Sequence, residues 1–195
     1  LIQKAQFHGI LPRIMTESRR VNDAMGSYVA SRVVFNMNQR GIIVKNSRIL
    51  ILGFTFKENC PDIRNTKVIN IYQSLSSYTD NIDIYDPWVE SEEAEKEYGV
   101  KIIREFDKIG DKKYDAVVLC VAHSEFKGID LKSITSAALI FLASSSFFNE
   151  TILTLISSFL MNSIFFVIES GIVNFHPYFP FEVLNKSFIL STMIR

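Results

Sequence analysis

Two basic side chains lie in one polar segment of the sequence, FTFKENCPDIRNTK, residues 54–67. The segment follows the apolar run RILILG and leads into a helix that we expect to begin near Thr66. Lys57 can place a point charge on a phosphate, and Arg64 can make a forked contact with one. The free backbone N–H groups of the helix N-terminus also favour an anion. The segment is therefore a candidate phosphate site, and the alternative is that both cations are solvated surface charges.

The two cysteines of the sequence do not indicate covalent chemistry. Cys60 lies in the same segment, but a nucleophilic thiol needs a nearby base or a lowered pKa, and the carboxylates of Glu58 and Asp62 oppose the effect of Lys57. Cys120 lies in an apolar run and is predicted to pack in the core. Two cysteines cannot form a disulfide framework, so we expect a reducing compartment, the cytoplasm. The histidines show no metal-ligand spacing, and no metal site is predicted: His8, His123 and His176.

Two acidic features have alternative interpretations. Asp86 lies at the end of a predicted strand, where a carboxylate could bind a ribose, although an Asp-Pro pair that ends a strand is the commoner explanation. Four glutamates are predicted to form the solvated face of a short helix: Glu92, Glu93, Glu95 and Glu97. The sequence contains neither G-x-G-x-x-G nor G-x-x-x-x-G-K-[ST], so a self-sufficient dinucleotide site of the usual kind is not predicted.

Apolar runs alternate with helical patterns in the elements that must position these residues. Continuous apolar runs suit strands that are covered on both faces, as in a parallel sheet. The predicted strands are 48–54, 81–86, 114–122 and 138–141, and helices are predicted from Thr66, at 91–99 and at 131–137. This order predicts an α/β fold with a doubly wound open sheet, in which ligands bind beyond the carboxyl ends of the strands.

A long helix is predicted over residues 16–40, before the first strand. Apolar residues recur there at intervals of three and four, Thr16 can cap the N-terminus, and Arg40 followed by Gly41 is a stop signal. Gly26 inside the helix costs about 1 kcal/mol relative to Ala. A helix of this length must bury apolar faces against more than this short chain supplies, and a partner subunit is one candidate.

The charge distribution divides the chain into two parts. The 21 basic and 21 acidic residues cancel, which excludes a strongly basic nucleic-acid binder. Residues 142–195 contain few charges but nine of the 16 Phe. Residues 151–168 carry no charge and just reach the length of a membrane span, yet their Ser, Thr and Asn residues lower the propensity for insertion. A membrane span is therefore not the favoured interpretation of this apolar tail.

The segment FKENCPDIRNTK, with RILILG before it and DIYDPWV after it, resembles the C-terminal, UDP-binding half of the nucleotide-sugar dehydrogenases, the UDP-glucose/GDP-mannose dehydrogenase family. The variant with Asn-Cys-Pro-Asp, together with YDPWV and VAHSEF, is most similar to the branch that acts on UDP-N-acetylhexosamines, the Vi-antigen type. The stretch ESRRVNDAMGSYVA resembles the start of the family's central helix.

The resemblance implies a domain organisation and a set of site residues. Residues 1–44 would form the central dimerisation helix region, 45–141 a Rossmann-like UDP-sugar-binding domain, and 142–195 a divergent tail. Members of the family oxidise the terminal CH2OH of a UDP-sugar to a carboxylate with two NAD+, through a thiohemiacetal and a thioester on a cysteine. Phe56 and Lys57 match the family's substrate-contacting pair, and Arg64 matches an arginine that reaches NAD.

The sequence departs from the family in two respects. The NAD-binding domain and the catalytic cysteine of the family precede the position of Leu1, and Cys60 is not equivalent to that cysteine, so no catalytic residue is expected in this chain. The last strand of the family leads into an Asp and a basic residue, whereas here ALIF continues into LASSSFF. The change in composition motivates the hypothesis that out-of-frame reading of an AT-rich gene produced this Phe-, Ile- and Ser-rich tail.

Three interpretations of function remain open on the sequence. The first is the C-terminal part of a UDP-N-acetylhexosamine 6-dehydrogenase for surface polysaccharide synthesis, a homodimer that is inactive without its N-terminal half. The second is a dimerising, non-catalytic UDP-sugar-binding module or a truncated or frameshifted remnant. The third is a membrane-attached protein that uses residues 151–168.

Overall fold

The structure, a computed structural model, describes residues 2–110, 112–135, 140–142, 164–168 and 171–174. In these ranges the helices are α1 (Ile2–Phe7), α2 (Arg13–Gln39), α3 (Val68–Ser76), α4 (Ser91–Tyr98), α5 (Asp107–Gly110) and α6 (Leu131–Ile134). The strands are β1 (Ile49–Leu52), β2 (Ile82–Tyr85), β3 (Ala116–Leu119), β4 (Ile140–Leu142), β5 (Ile164–Ile168) and β6 (Gly171–Asn174). Short 3-10 turns at Val44–Asn46 and Ser124–Gly128 precede β1 and follow β3.

The strands form one sheet in the order β2-β1-β3-β4-β5-β6. Neighbouring strands from β2 to β5 are parallel, and β6 is antiparallel to β5. The chain leaves β1 in one direction to β2 and returns past β1 to β3, so the strand order reverses between β1 and β3. The predicted α/β fold with an open parallel sheet is confirmed. The first three predicted strands contain β1, β2 and β3 within their bounds, and the fourth, 138–141, overlaps β4, which extends to Leu142.

The sheet is covered on both faces, which explains the continuous apolar runs. Alternate residues of β1 point to opposite faces, and all four are buried. Ile49 and Ile51 pack with α2, α3 and α4, whereas Leu50 and Leu52 pack with α5, α6 and the 3-10 turn after β3. The centre of the sheet is therefore a rigid platform for the loops at its edge.

Helix α2 packs along α3 with one face and leaves the other exposed. Gly26 lies at the crossing, where a Cβ on this residue would be 2.5 Å from Asn70 Cβ. Val29, Val33 and Met37 are fully buried on the same face. The close approach of the two helices accounts for a glycine within a helix, where Ala would otherwise be favoured.

The ends of α2 differ partly from the prediction. Thr16 is not the N-cap: the helix begins at Arg13, after Pro12, and Thr16 donates its hydroxyl to the Pro12 carbonyl at 3.0 Å. Pro12 was missed because its ring suits the start of a helix as well as a loop. The stop signal is confirmed, since Arg40 is the C-cap and Gly41 has a φ of +70°.

The tail contributes strands to the sheet. β5 and β6 both lie beyond residue 142, and β5 continues the parallel arrangement from β4. Of the candidate span 151–168, residues 151–163 lie outside the described residues and the remainder form β5. Among the described residues, no helix combines the length and the apolar character needed to cross a membrane.

Candidate functional site

The loop that follows β1 lies at the carboxyl edge of the sheet, where the strand order reverses. We call residues 54–67 the β1 loop. Gly53 starts the turn into it with a φ of +84°, and a Cβ on this residue would lie 2.6 Å from the Val121 carbonyl oxygen. The chain therefore enters the β1 loop in close contact with the segment after β3, at the edge where ligands bind in open α/β sheets.

Asp86 fixes the start of the β1 loop. Its carboxylate is fully buried and accepts the backbone N–H groups of Phe54 and Thr55, at 2.6 and 3.2 Å, and of Trp88 at 2.8 Å. Burial raises the pKa of Asp86, but a hydrogen bond from His123 and the backbone N–H bonds outweigh it, and the pKa lies below its ordinary value. Because protein groups occupy this carboxylate, the ribose-binding interpretation of Asp86 is not supported.

His123 links the β1 loop to the end of β2. The ring is fully buried, and its Nε2 lies 3.0 Å from Asp86 Oδ2 and 3.1 Å from Thr55 Oγ1. Its Nδ1 accepts the backbone N–H of Asn59 at 2.9 Å. Because Nδ1 is an acceptor, this network assigns the ring proton to Nε2, which donates to Asp86. The signal in the sequence for this role of His123 is its position shortly after β3, at the same edge of the sheet as Asp86.

Asn59 holds the middle of the β1 loop against the loop after β3. Its backbone has a φ of +54°, in the left-handed region that Asn tolerates better than most residues. Its side-chain Oδ1 accepts the backbone N–H of Ser124 at 2.9 Å and the Ser124 hydroxyl at 3.1 Å. Two elements far apart in sequence are thereby joined across the reversal point.

Phe56 and Lys57, the predicted substrate residues, lie on the solvent side of this arrangement. The Phe56 side chain is 61% exposed, and Lys57 is exposed. Their backbone is fixed: Phe56 N–H donates to the Asp62 carbonyl at 2.7 Å, and the Thr55 hydroxyl donates to the Lys57 carbonyl at 3.0 Å. An aromatic ring and a cation are therefore presented on an ordered backbone.

Arg64 is held by a carboxylate of its own loop. Its Nε and Nη2 donate to Asp62 Oδ1 and Oδ2 at 2.9 and 2.7 Å, while the arginine side chain is 76% exposed. These hydrogen bonds lower the pKa of Asp62 to about 2 and raise the pKa of Arg64. Asp62 therefore offsets the charge of Arg64, one of the two cations predicted to bind phosphate.

The remaining candidates behave as structural or surface groups. Cys60 is partly exposed and Cys120 is buried, which raises the pKa of its thiol; both are free thiols. Within the described ranges, no cluster of His, Cys, Asp and Glu could hold a metal ion. His8 is exposed in the turn after α1, and His176 lies outside the described residues. The four glutamates of α4 are all exposed, as predicted: Glu92, Glu93, Glu95 and Glu97.

Known proteins resemble this chain over the region that contains the β1 loop. The UDP-N-acetyl-D-glucosamine 6-dehydrogenase of Salmonella typhi is 46% identical over 127 residues, which are 65% of this chain and 29% of that protein. The enzyme of the same name from Pseudomonas aeruginosa is 46% identical over 134 residues, 69% of this chain and 31% of that protein. The chain thus spans about three-tenths of the length of these relatives.

The fold is shared with solved dehydrogenase structures. The NDP-N-acetyl-D-galactosaminuronic acid dehydrogenase of Methanosarcina mazei Go1 superposes with a TM-score of 0.61 at 19% identity, over 78% of this chain and 30% of that one. Residues 50–145 match the model of the UDP-glucose/GDP-mannose dehydrogenase family, UDP binding domain. Through these residues the chain belongs to the UDP-glucose/GDP-mannose dehydrogenase family, of which it carries the UDP-binding domain.

Proposed function

We propose that this chain is the UDP-sugar-binding part of an NAD-dependent UDP-N-acetylhexosamine 6-dehydrogenase that serves surface polysaccharide synthesis. The identity to two UDP-N-acetyl-D-glucosamine 6-dehydrogenases supports the substrate class. The observation that carries the proposal is the ordered β1 loop, which presents Phe56 and Lys57 to solvent at the carboxyl edge of a UDP-binding domain.

Lys57 and Phe56 have complementary roles in this proposal. The ammonium group of Lys57 contacts a phosphate oxygen of the substrate as a compact charge. The exposed ring of Phe56 offers an apolar surface to the sugar or base. Covering this ring is favourable because its apolar surface is then removed from water. Because their backbones are already fixed, little conformational entropy is lost when substrate binds.

Arg64 is the residue that we propose for the cofactor side of the loop. NAD, when bound, supplies the hydride acceptor. The fork to Asp62 uses Nε and Nη2 of Arg64, and within the described residues Nη1 makes no hydrogen bond. Nη1 can therefore reach an anionic oxygen while Asp62 keeps the guanidinium oriented. The sequence contains no glycine fingerprint, so Arg64 would supplement a cofactor site located elsewhere.

The exposed face of α1 and α2 is proposed to form a homodimer. Large apolar side chains are solvent-exposed along these helices and the turn between them, and their burial against a second copy would be favourable: Phe7, Ile10, Leu11, Ile14, Met15, Val21 and Phe35. Sedimentation equilibrium should show a dimer that Val21→Glu weakens. A monomer at all concentrations would contradict this part of the proposal.

Calorimetry with UDP and UDP-N-acetylglucosamine tests the binding function. We expect both ligands to bind, and Lys57→Ala to weaken binding by about tenfold, because a hydrogen bond to a charged group is lost. The matched control is Lys45→Ala, which removes the same charge from the 3-10 turn before β1, at the opposite edge of the sheet. Equal effects of the two variants would contradict a local contact with Lys57.

A further inference from the structure

One imidazole ring contacts both ends of the exposed stretch Phe56–Glu58. The hydroxyl oxygen of Thr55, just before the stretch, lies 3.1 Å from His123 Nε2. Asn59, just after it, donates its backbone N–H to His123 Nδ1 at 2.9 Å. The stretch with the proposed substrate residues is therefore bracketed by two hydrogen bonds to a single buried side chain.

The hydrogen bonds continue from the ring to the backbone of Lys57. Nε2 donates its proton towards Asp86 Oδ2 and Thr55 Oγ1, so the hydroxyl proton of Thr55 is free to point elsewhere. That proton goes to the Lys57 carbonyl at 3.0 Å. Asp86, His123, Thr55 and Lys57 thus form one connected series in which each donor has an acceptor.

The ring itself cannot rotate freely. The Trp88 indole stacks on it with centroids 6.2 Å apart, and the edge of Phe126 meets it at 5.3 Å. Asp86 is fully buried and is also bound by three backbone N–H groups, so it holds Nε2 in place. A histidine that only filled the core would not need its two nitrogens matched to two points of one surface loop.

From this geometry we propose that His123 is a positioning residue for the β1 loop: it holds Phe56 and Lys57 in the arrangement that receives the substrate, through Thr55 and the backbone N–H of Asn59. The role in substrate binding rests on the proposed function. The role in ordering the loop does not, and the two can be measured separately.

Two substitutions divide the contacts of the ring. The side chain of Asn places an amide oxygen near the position of Nδ1, so His123→Asn retains an acceptor for Asn59 and loses the donor to Asp86. The side chain of Gln reaches the position of Nε2, so His123→Gln retains a donor to Asp86 and loses the acceptor for Asn59. The matched control is Tyr114→Phe, which removes a 2.8 Å hydrogen bond to Asp83 outside the β1 loop.

Amide hydrogen exchange of the full chain, read at Asn59 and at Ile51 in β1, tests the ordering role without ligand. We expect His123→Gln to accelerate exchange at Asn59 by about tenfold or more relative to Ile51, because the acceptor of this amide is lost. His123→Asn and Tyr114→Phe should leave the ratio within about threefold of the native chain. An unchanged ratio in His123→Gln would overturn the proposal.

Binding of UDP by the same variants tests the link to substrate. The affinity should fall about tenfold in His123→Gln and less in His123→Asn, in parallel with the exchange at Asn59. Native affinity in His123→Gln with a mobile Asn59 would overturn the link. If UDP does not bind the native chain while the exchange result holds, the proposed function fails and the ordering role stands.

Thr55→Val keeps the test decisive if both histidine variants unfold. This change preserves the shape of residue 55 and removes the hydroxyl that connects His123 to the Lys57 carbonyl. We expect exchange at Phe56 and Lys57 to rise about threefold or more relative to Ile51. Exchange at the native rate in this variant would overturn the proposal.

Discussion

Gly53 and Val121 approach each other so closely that residue 53 has no room for a side chain. A Cβ there would lie 2.6 Å from both the Cβ and the carbonyl oxygen of Val121, and Gly53 has a φ of +84°. The ends of β1 and β3 are therefore in direct backbone contact, which sets the position from which the β1 loop departs.

Gly53→Ala should destabilise the fold by roughly 2–4 kcal/mol, because backbone strain and overpacking act together. The matched control is Gly99→Ala: this residue also has a positive φ, of +70°, but an added Cβ would have no neighbour within 4 Å. Urea unfolding of both variants separates the contact from the strain. Equal losses of stability would show that the contact with Val121 contributes nothing.

Gly26→Ala should also destabilise, despite the better helix propensity of Ala. The gain of about 1 kcal/mol from propensity is opposed by overpacking, which costs about 1–3 kcal/mol when backbone must move. The nearest atom to the added Cβ is Asn70 Cβ at 2.5 Å, and the next is the Asn70 carbonyl carbon at 3.0 Å, so α2 and α3 would have to separate. Asn70→Gly should restore part of the loss if this contact is the cause, and thermal unfolding of the single and double variants measures it.

Acid should weaken the fold through Asp86. Its pKa in the folded chain lies below the ordinary value of 3.8, so its contribution to stability is fully present above that value. The contribution is lost as the pH falls through the lowered folded pKa, when the carboxyl becomes protonated. We expect the urea concentration at the unfolding midpoint to decrease when the pH is lowered below about 4. Asp86→Asn should make this midpoint less dependent on pH. A profile that is unchanged in Asp86→Asn would contradict the assignment.

The ion pair between Arg64 and Asp62 should lower the affinity of the chain for pyrophosphate ligands. Asp62, with a pKa of about 2, stays ionised at any working pH and offsets the charge of Arg64. Asp62→Asn should therefore strengthen binding of UDP or NADH by about two- to fivefold at low salt, an effect that salt screens. The control is Asp80→Asn, an exposed carboxylate after α3. Weaker binding in Asp62→Asn would contradict this prediction and show that the orientation of Arg64 by Asp62 outweighs the charge that Asp62 offsets.

The chain alone should form no NADH from NAD+ and a UDP-N-acetylhexosamine. Of its two cysteines, Cys120 is buried, and the resemblance does not match Cys60 to the catalytic thiol. Absorbance at the nicotinamide band measures turnover, with the native chain, with Cys60→Ser, and after addition of the N-terminal half of a related dehydrogenase. Turnover by the chain alone that is lost in Cys60→Ser would overturn the expectation.

The elements of this fold could be predicted because local patterns determine them. Runs of Ile, Leu and Val with no polar residue identify buried parallel strands. The C-terminal ends of α2 and α4 lie next to Gly41 and Gly99, because glycine readily adopts the left-handed conformation found there. The polar loop after the first strand was identified from its length and charges. Its position at the sheet edge then follows from the fold class.

The internal partners of the site could not be predicted in this way. Asp86 and His123 each have a common local explanation, a strand end and an isolated histidine, and only the three-dimensional sheet brings them to one point. The Arg64–Asp62 fork was missed for a different reason: residues two apart in a loop meet or separate according to backbone angles that composition does not specify. Asn59 and Asn65, on either side of this pair in the β1 loop, have φ values of +54° and +61°, which composition does not specify either.

The contacts that order the β1 loop are distant along the chain. Phe54 and Asp86 are 32 residues apart, and Thr55 and His123 are 68 residues apart. During synthesis the loop therefore cannot take its final shape until β3 has emerged and joined the sheet. A ribosome-bound chain that ends before His123 would contain the β1 loop but not the ring that contacts both Thr55 and Asn59, so under the proposed function nucleotide recognition would be acquired late in synthesis.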